Sequence, residues 1–548
     1  MRYFILIYLV GLSMMLSGQD SPPSGEIEDA QIIIEKDKPL TLPKAPRIYQ
    51  KSQVKPVGSD TVNLSYDLSR PSYSFQTSTY SPTIRSFQSG SEALANKNYL
   101  KVGMGNYLSP LLQGFAGYQQ DAKSVGLYVF HESFAKGPVR DEESAYGHSS
   151  IVLSGGIENE GLKVSPTLSY NREAFYFYGH EGDGDSIFIH DKIGINHIGL
   201  NVPLKYVPSE RVELSISPQI TNTSMGIDGT TFNKELYLGL DASGSFKIND
   251  GMSFDLGLYL DHYNYQSGFE QTRDLVSFNP AILVNNGDGL NLDLGLGIAF
   301  GSDSISNGTK SYFYPDISAS YQLGNQLLVF LDATGGVNVT NLNDLRLQNR
   351  YLEDSLGMLN EHTKVDIKAG IQYALRPDLV IEPYVGYQLV SNKQFFYPSA
   401  SDTSRYSIVY EKGNFIQTSL GLSLRYVNNK SELIAKMYLQ SYQTDSLSEA
   451  WFLPTTGLDV RYTQQFTEEL SLNAGLVILQ GLKGPSSLDG SVTDLPTVVD
   501  LSIGAGYKLT DKFSAFASVN NLLNIEYERY LNYPVRGIAG KIGFIYRF

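Results

Sequence analysis

The 548-residue chain carries 42 Lys and Arg against 57 Asp and Glu, a net charge of −15 that argues against a phosphate-seeking surface and so against nucleic-acid binding. It has no cysteine, which removes disulfide scaffolds, thiolate metal sites, cysteine nucleophiles and an N-terminal lipid anchor. With 51 Gly, 38 Tyr, one Trp and only 18% charged residues, and no composition break over a length that would hold several ordinary domains, it reads as one large all-β architecture.

The first 18 residues read as a secretory signal. Arg2 supplies the positive end, Ile5 to Met15 the apolar stretch, and Ser17-Gly18 the small-residue cleavage site. No later run approaches the ~18 apolar residues of a membrane-spanning helix. The mature chain is therefore either exported and soluble or a closed membrane barrel, the other structure that satisfies every backbone polar group in lipid.

Residues 19–98 read as an extended periplasmic or lumenal arm. Ile32, Ile33 and Ile34 form one short strand, after which Pro39, Pro43, Pro46 and Pro56 forbid a helix. Lys36, Lys38, Lys44 and Arg47, with Lys51 and Lys55 beyond, oppose only Asp37, and Ser and Thr dominate from Ser59 to Ser91. The isoleucines suit addition to a sheet edge and the basic run suits an acidic protein, so Ile32 to Arg47 is the expected partner-binding segment.

From residue 99 to 548 apolar and polar residues alternate with period two. Val499, Leu501, Ile503, Ala505 and Tyr507 alternate with Asp500, Ser502, Gly504, Gly506 and Lys508; Met252 to Asp261 and Leu290 to Ala299 behave alike. A soluble sandwich shows the same period, so the connections must decide. They alternate between tight turns, such as Val207-Pro208-Ser209-Glu210, Ile248-Asn249-Asp250-Gly251 and Thr510-Asp511-Lys512, and long loops, such as 176–196, 341–361, 391–406, 441–456, 481–496 and 521–536. Short turns at one rim and long loops at the other predict a transmembrane antiparallel β-barrel of about 22 strands, set in outer-membrane lipid, with both ends in the periplasm.

Chemical signals inside this frame are few. Gly179 to Asp185, with Asp191 beyond, offers close carboxylates for Ca²⁺ but lacks the spacing of a known loop, and an ordinary acidic loop is the simpler reading. His180 and His190 share that loop without a third ligand. Asp255, Asp261, Asp293, Asp459, Asp500, Arg461, Lys508 and Lys541 fall on the polar parity, as a hydrated lumen wall requires. Aromatic runs at Phe175 to Tyr178, Tyr312 to Tyr314, Phe395 to Tyr397 and Trp451-Phe452 read as interfacial girdles. No catalytic set, metal site or cofactor motif emerges, so an enzyme is not expected.

The C-terminus carries a resemblance. The chain ends Phe544-Ile545-Tyr546-Arg547-Phe548, similar to the signal by which barrel-assembly machinery recognises outer-membrane substrates, which makes Tyr546 and Phe548 the expected assembly signal. Upstream, Asn521-Leu522-Leu523-Asn524-Ile525-Glu526-Tyr527 and Tyr533-Pro534-Val535-Arg536-Gly537 resemble the closing hairpin of TonB-dependent receptors. The resemblance spans under 30 residues and implies a 22-strand barrel for solute uptake. The family's plug has no counterpart between Gln19 and Asn98, so the chain looks like the plugless relatives found in Bacteroidota. Two functions follow as expectations. One is solute passage or uptake, with the arm or a partner gating the lumen; the other is a scaffold that anchors a multi-protein outer-membrane complex.

Overall fold

The computed structural model describes residues 98–179, 192–227, 230–285, 287, 289–303, 308–486 and 490–548. The segments expected to be the signal and the arm, the expected partner-binding residues Ile32, Ile33, Ile34, Lys36, Lys38, Lys44 and Arg47, and residues 180–191 lie outside them. The described chain forms one large antiparallel sheet closed on itself and two small two-stranded sheets in its loops. The strand Tyr99–Gly105 pairs with Ser109–Gln120 on one side and with the last strand, Ala539–Arg547, on the other. The sheet's 24 hydrogen-bonded segments make 22 wall strands, because two strands are each broken once. Leu162–Val164 runs on into Thr167–Phe175, and Ile193–Asn201 into Leu204–Ser209. The breaks fall at Pro166 and Pro203, which have no N–H to give the ladder. They lie side by side, Ser165 N donating to the Pro203 carbonyl at 2.9 Å. No helix is long and apolar enough to cross a membrane among the described residues.

Parity sorts the wall as the alternation predicts. Leu256, Leu294, Leu296, Leu420 and Ile542 stand exposed on the outer face, an apolar band that only lipid can cover. Above it runs a polar ring. His131 meets Ser149 at 2.8 Å, Arg172 donates to Asn196 at 3.1 Å, and His262 meets Asp274 at 2.7 Å, all on residues of outward parity. Exposed Tyr118, Tyr206, Phe246, Tyr321, Tyr507 and Phe513 line the tight-turn rim, the headgroup level where amphipathic rings settle. This band, ring and girdle describe an integral outer-membrane barrel.

The predicted girdles are corrected. Phe175, Phe177, Phe395, Phe396, Trp451 and Phe452 are buried in one core formed by the long loops. Tyr312 and Tyr314 are buried too, whereas Phe313, 62% exposed, faces outward. Nor is the alternation of connections strict. The long-loop rim also carries short ones at residues 106–108 and 267–269, and the tight-turn rim gains Glu160-Gly161. This turn needs glycine at 161, because its φ of 81° strains a side-chain-bearing residue and a Cβ there would lie 2.7 Å from the Val207 carbonyl oxygen.

On the inner wall, tyrosines lie flat across glycines of the next strand. Tyr384 covers Gly421, Tyr438 covers Gly457 and Tyr314 covers Gly297, each directly opposite its glycine in register. The ring fills the space a Cβ would take and covers the bare backbone, offsetting the cost of glycine within a strand. The wall carboxylates are satisfied along the ladder. Asp261 accepts from the Tyr237 hydroxyl at 2.8 Å, Asp255 from Ser245 at 2.6 Å, and Asp459 pairs with Arg461 at 2.9 Å.

Candidate functional site

The long loops converge on a shared core over the mouth of the lumen. Five contribute most of it: residues 339–360, 392–413, 444–455, 481–497 and 521–538. Their sequences are not those of solvated loops. Leu342, Leu345, Leu352, Leu356, Met358, Phe395, Tyr406, Trp451, Phe452, Leu482, Leu495, Tyr530 and Tyr533 are all buried there, and that much apolar area holds together only against other apolar area.

Residues 339–360 turn inward. The short helix Leu342–Gln348 starts at Asn341, whose side-chain oxygen accepts from Asp344 N at 2.9 Å. The wall then grips the segment at three heights. Glu235, ion-paired with fully buried Arg273, accepts from Leu342 N at 2.8 Å. Asn233 and Tyr265 both donate to the Asp354 carbonyl at 3.0 Å, and Gln271 accepts from Met358 N at 3.1 Å. Arg346 closes the segment on itself, donating to the carbonyls of Arg350, Leu352 and Glu353 at 3.1, 2.6 and 2.9 Å.

Tyrosines join this segment to the other loops. The Tyr533 ring stacks on Tyr351 at 3.5 Å between centroids and meets Tyr178 edge-on at 4.8 Å. The Tyr533 hydroxyl donates to the Ser404 carbonyl. Tyr406 donates to Leu531 and Tyr530 to Gln348, both at 2.8 Å. Burial holds the Tyr178 and Tyr533 phenols well above their ordinary value, so both remain protonated donors. Arg405 pairs with Asp354 at 2.7 Å and with Asp402 at 3.0 Å, and stands 4.6 Å over the Phe177 ring.

The side hairpin Gln394–Pro398 with Tyr406–Tyr410 is tied down through Glu411. This buried carboxylate accepts from Gly413 N at 2.9 Å, Ser446 N at 2.8 Å, the Ser446 hydroxyl at 2.5 Å and Leu447 N at 3.0 Å. Burial opposes its charge, but these donors outweigh burial and hold it below the ordinary glutamate value. The arrangement holds no reacting group; it interlocks the long loops with one another through their side chains. Among the described residues, no group of three or more His, Asp or Glu could hold a metal ion.

Of the residues singled out in the sequence, Tyr546 and Phe548 stack at 5.8 Å on the outward face of the last strand, and Phe548 N donates to the Asn98 carbonyl at 3.1 Å beside the first strand. The closing-hairpin motif has a structural reason here. Asn521 accepts from Ile525 N at 3.1 Å and donates to the carbonyls of Ile525 and Arg536, and Tyr527 donates to Asp500 at 3.0 Å. The motif thus folds the last loop back on itself, and that loop supplies Tyr530 and Tyr533 to the shared core. The cap residues themselves, Tyr351, Tyr406, Tyr530 and Tyr533, escaped the sequence reading as a site. The signal available was the density of Leu and Tyr in loops long enough to be solvated.

No protein-family model matches the sequence, and no curated protein does. Solved structures do match in fold. The FrpB iron transporter from Neisseria meningitidis is 11% identical with a TM-score of 0.66, over 82% of this chain and 81% of that one. The ferric-catecholate import receptor Fiu from E. coli K12 is 10% identical with a TM-score of 0.62, over 82% and 81%. The siderophore receptor PiuA from Acinetobacter baumannii is 9% identical with a TM-score of 0.61, over 84% and 82%. At these identities the likeness is one of fold, and that fold is the 22-strand outer-membrane barrel.

Proposed function

We propose that the barrel passes or imports a solute across the outer membrane, and that its outer mouth is held closed by its own loops. The observation that carries this reading is the core around Tyr351 and Tyr533, set over a lumen whose wall carries hydrogen-bonded carboxylates. A barrel of 22 strands encloses a channel wide enough to breach the permeability barrier unless something fills it. The sequence points to the arm or a partner protein for that filling; the loops supply closure at one end. The arm or a partner protein then gates the other end, in keeping with the likeness to import receptors and with a chain that resembles TonB-dependent receptors without their plug. Antibiotic uptake tests the reading. Cells producing a variant with residues 521–538 shortened to a tight turn should become sensitive to large antibiotics. Unchanged sensitivity in a correctly inserted barrel would contradict it.

A second reading, a scaffold for an outer-membrane complex, is favoured by the same interlocking, since a lid joined by so many side-chain bonds offers a fixed surface. Purification from mild detergent separates the two: a stoichiometric partner retained at high salt supports the scaffold, and a lone barrel the passage.

A further inference from the structure

The inner wall where the barrel closes on itself has an excess of positive charge that the cap does not use. Lys101 on the first strand points inward, because its neighbours Leu100 and Val102 are exposed on the lipid face. Lys541 on the last strand points the same way. Its stem passes Gly105, where a Cβ would meet the Gly540 carbonyl oxygen, the Ser109 hydroxyl at 2.5 Å and the Lys541 Cγ at 2.7 Å. Arg536 and Arg350 continue the line upward to the underside of the cap. Arg536 is within Coulombic reach of both Arg350 and Lys541, and Lys541 of Lys101.

Two carboxylates serve these four cations. Glu132 pairs with Lys541, and Glu173 lies 3.9 Å from Arg350. Glu132 also lies within Coulombic reach of Lys101, so one carboxylate faces two lysines, and Arg536 has no carboxylate among its Coulombic neighbours. Among the described residues neither Lys101 nor Arg536 has a carboxylate within ion-pair distance; Lys101 stands 4.2 Å over the Phe516 ring and Arg536 3.9 Å over Phe134. Lys101 is only 7% exposed. Buried like charges repel at low dielectric and are poorly compensated by ring faces alone. A bound anion would supply the two missing negative charges.

We propose that this seam wall, centred on Lys101, Arg536 and Lys541, binds an anionic solute through a carboxylate or phosphate group. The proposal rests on the solute-passage reading and names the class of solute that passage takes. The opposite wall fits this polarity: Asp293, Asp316, Asp332 and Asp366 fall on inward positions of strands about half the circumference away, and repel an anion toward the seam.

Equilibrium binding to the purified full chain in detergent, at low ionic strength, tests this with radiolabelled citrate and inorganic phosphate as probes. The wild-type chain should retain citrate, less tightly as salt is added. Lys101→Gln and Arg536→Gln should each weaken retention about tenfold, while Lys101→Arg stays near wild type. Phosphate retained as well as citrate would assign the site to either group; citrate alone would assign it to polycarboxylates. Failure of the wild type to retain either anion, or equal retention by both neutralised variants, would overturn the proposal. Liposome swelling with neutral sugars keeps the two readings apart. Citrate binding without sugar entry sinks passage and leaves the site, whereas sugar entry without anion binding does the reverse.

Discussion

Tyr533 of the last long loop lies on Tyr351 of the inward-turned loop with ring planes 17° apart, joining two loops far apart in sequence. Both residues are buried, and Tyr178 and Tyr406 pack around them. Removing one ring leaves a cavity in the cap that rigid wall strands cannot collapse to fill. Tyr533→Ala should therefore cost the cap on the order of 3 kcal/mol while the strands stay paired. Limited proteolysis of intact cells would show it as new cleavage within residues 392–413 and 521–538. Cleavage no faster than wild type would show that the stack holds nothing shut.

Glu411 gives the cap an acid limit. Its carboxyl is held below the ordinary value in the folded state, so its contribution is complete above the unfolded glutamate pKa of about 4.3 and is lost as pH falls through the lower folded value. Protease access to residues 392–413 should rise on acidification below about pH 4. In Glu411→Gln the access should be raised already at neutral pH and change little with acid. A wild-type cap equally resistant at pH 3 and pH 7 would remove Glu411 from the account.

The tyrosine-over-glycine pairs make a prediction about the wall itself. Gly421→Val forces the Tyr384 ring off its place, and overpacking of this kind costs roughly 1–3 kcal/mol. The temperature at which the folded band is lost in heat-modifiable electrophoresis should fall by several degrees, and Gly421→Val with Tyr384→Ala should recover part of it. A single variant as heat-stable as wild type would show that the ring has room to move.

Phe548 closes the aromatic stripe of the last strand, and its amide bonds beside the first strand. Phe548→Ser should lower the amount of inserted, heat-modifiable barrel several-fold. Normal insertion would mean that the terminal residue is not part of the assembly signal.

The wall was legible in the sequence because a barrel strand states its two faces residue by residue. Met252 to Asp261 and Leu290 to Ala299 lie in strands of the expected kind. Tight turns were legible for a related reason, since Asn249, Gly251 and Asp511 have local backbone roles. The cap was not. Phe395, Trp451 and Tyr533 carry no period, and an aromatic beside a strand end looks alike whether it will face a headgroup or another loop. Only tertiary contact between loops far apart in sequence separates the two. The seam cations were half visible: Lys541 was placed on the polar parity, but its neighbours Lys101 and Arg536 come together only when the first strand meets the last.

The central claim is a barrel that crosses the outer membrane with its capped end outside. Single cysteines in this cysteine-free chain test it most directly, labelled on intact cells by a membrane-impermeant maleimide. Val492→Cys, at an exposed position of a long loop, should label on intact cells, and Asn249→Cys, at a tight turn, only after the outer membrane is permeabilised. Labelling of Asn249→Cys on intact cells with Val492→Cys protected would place the cap on the periplasmic side and contradict the account.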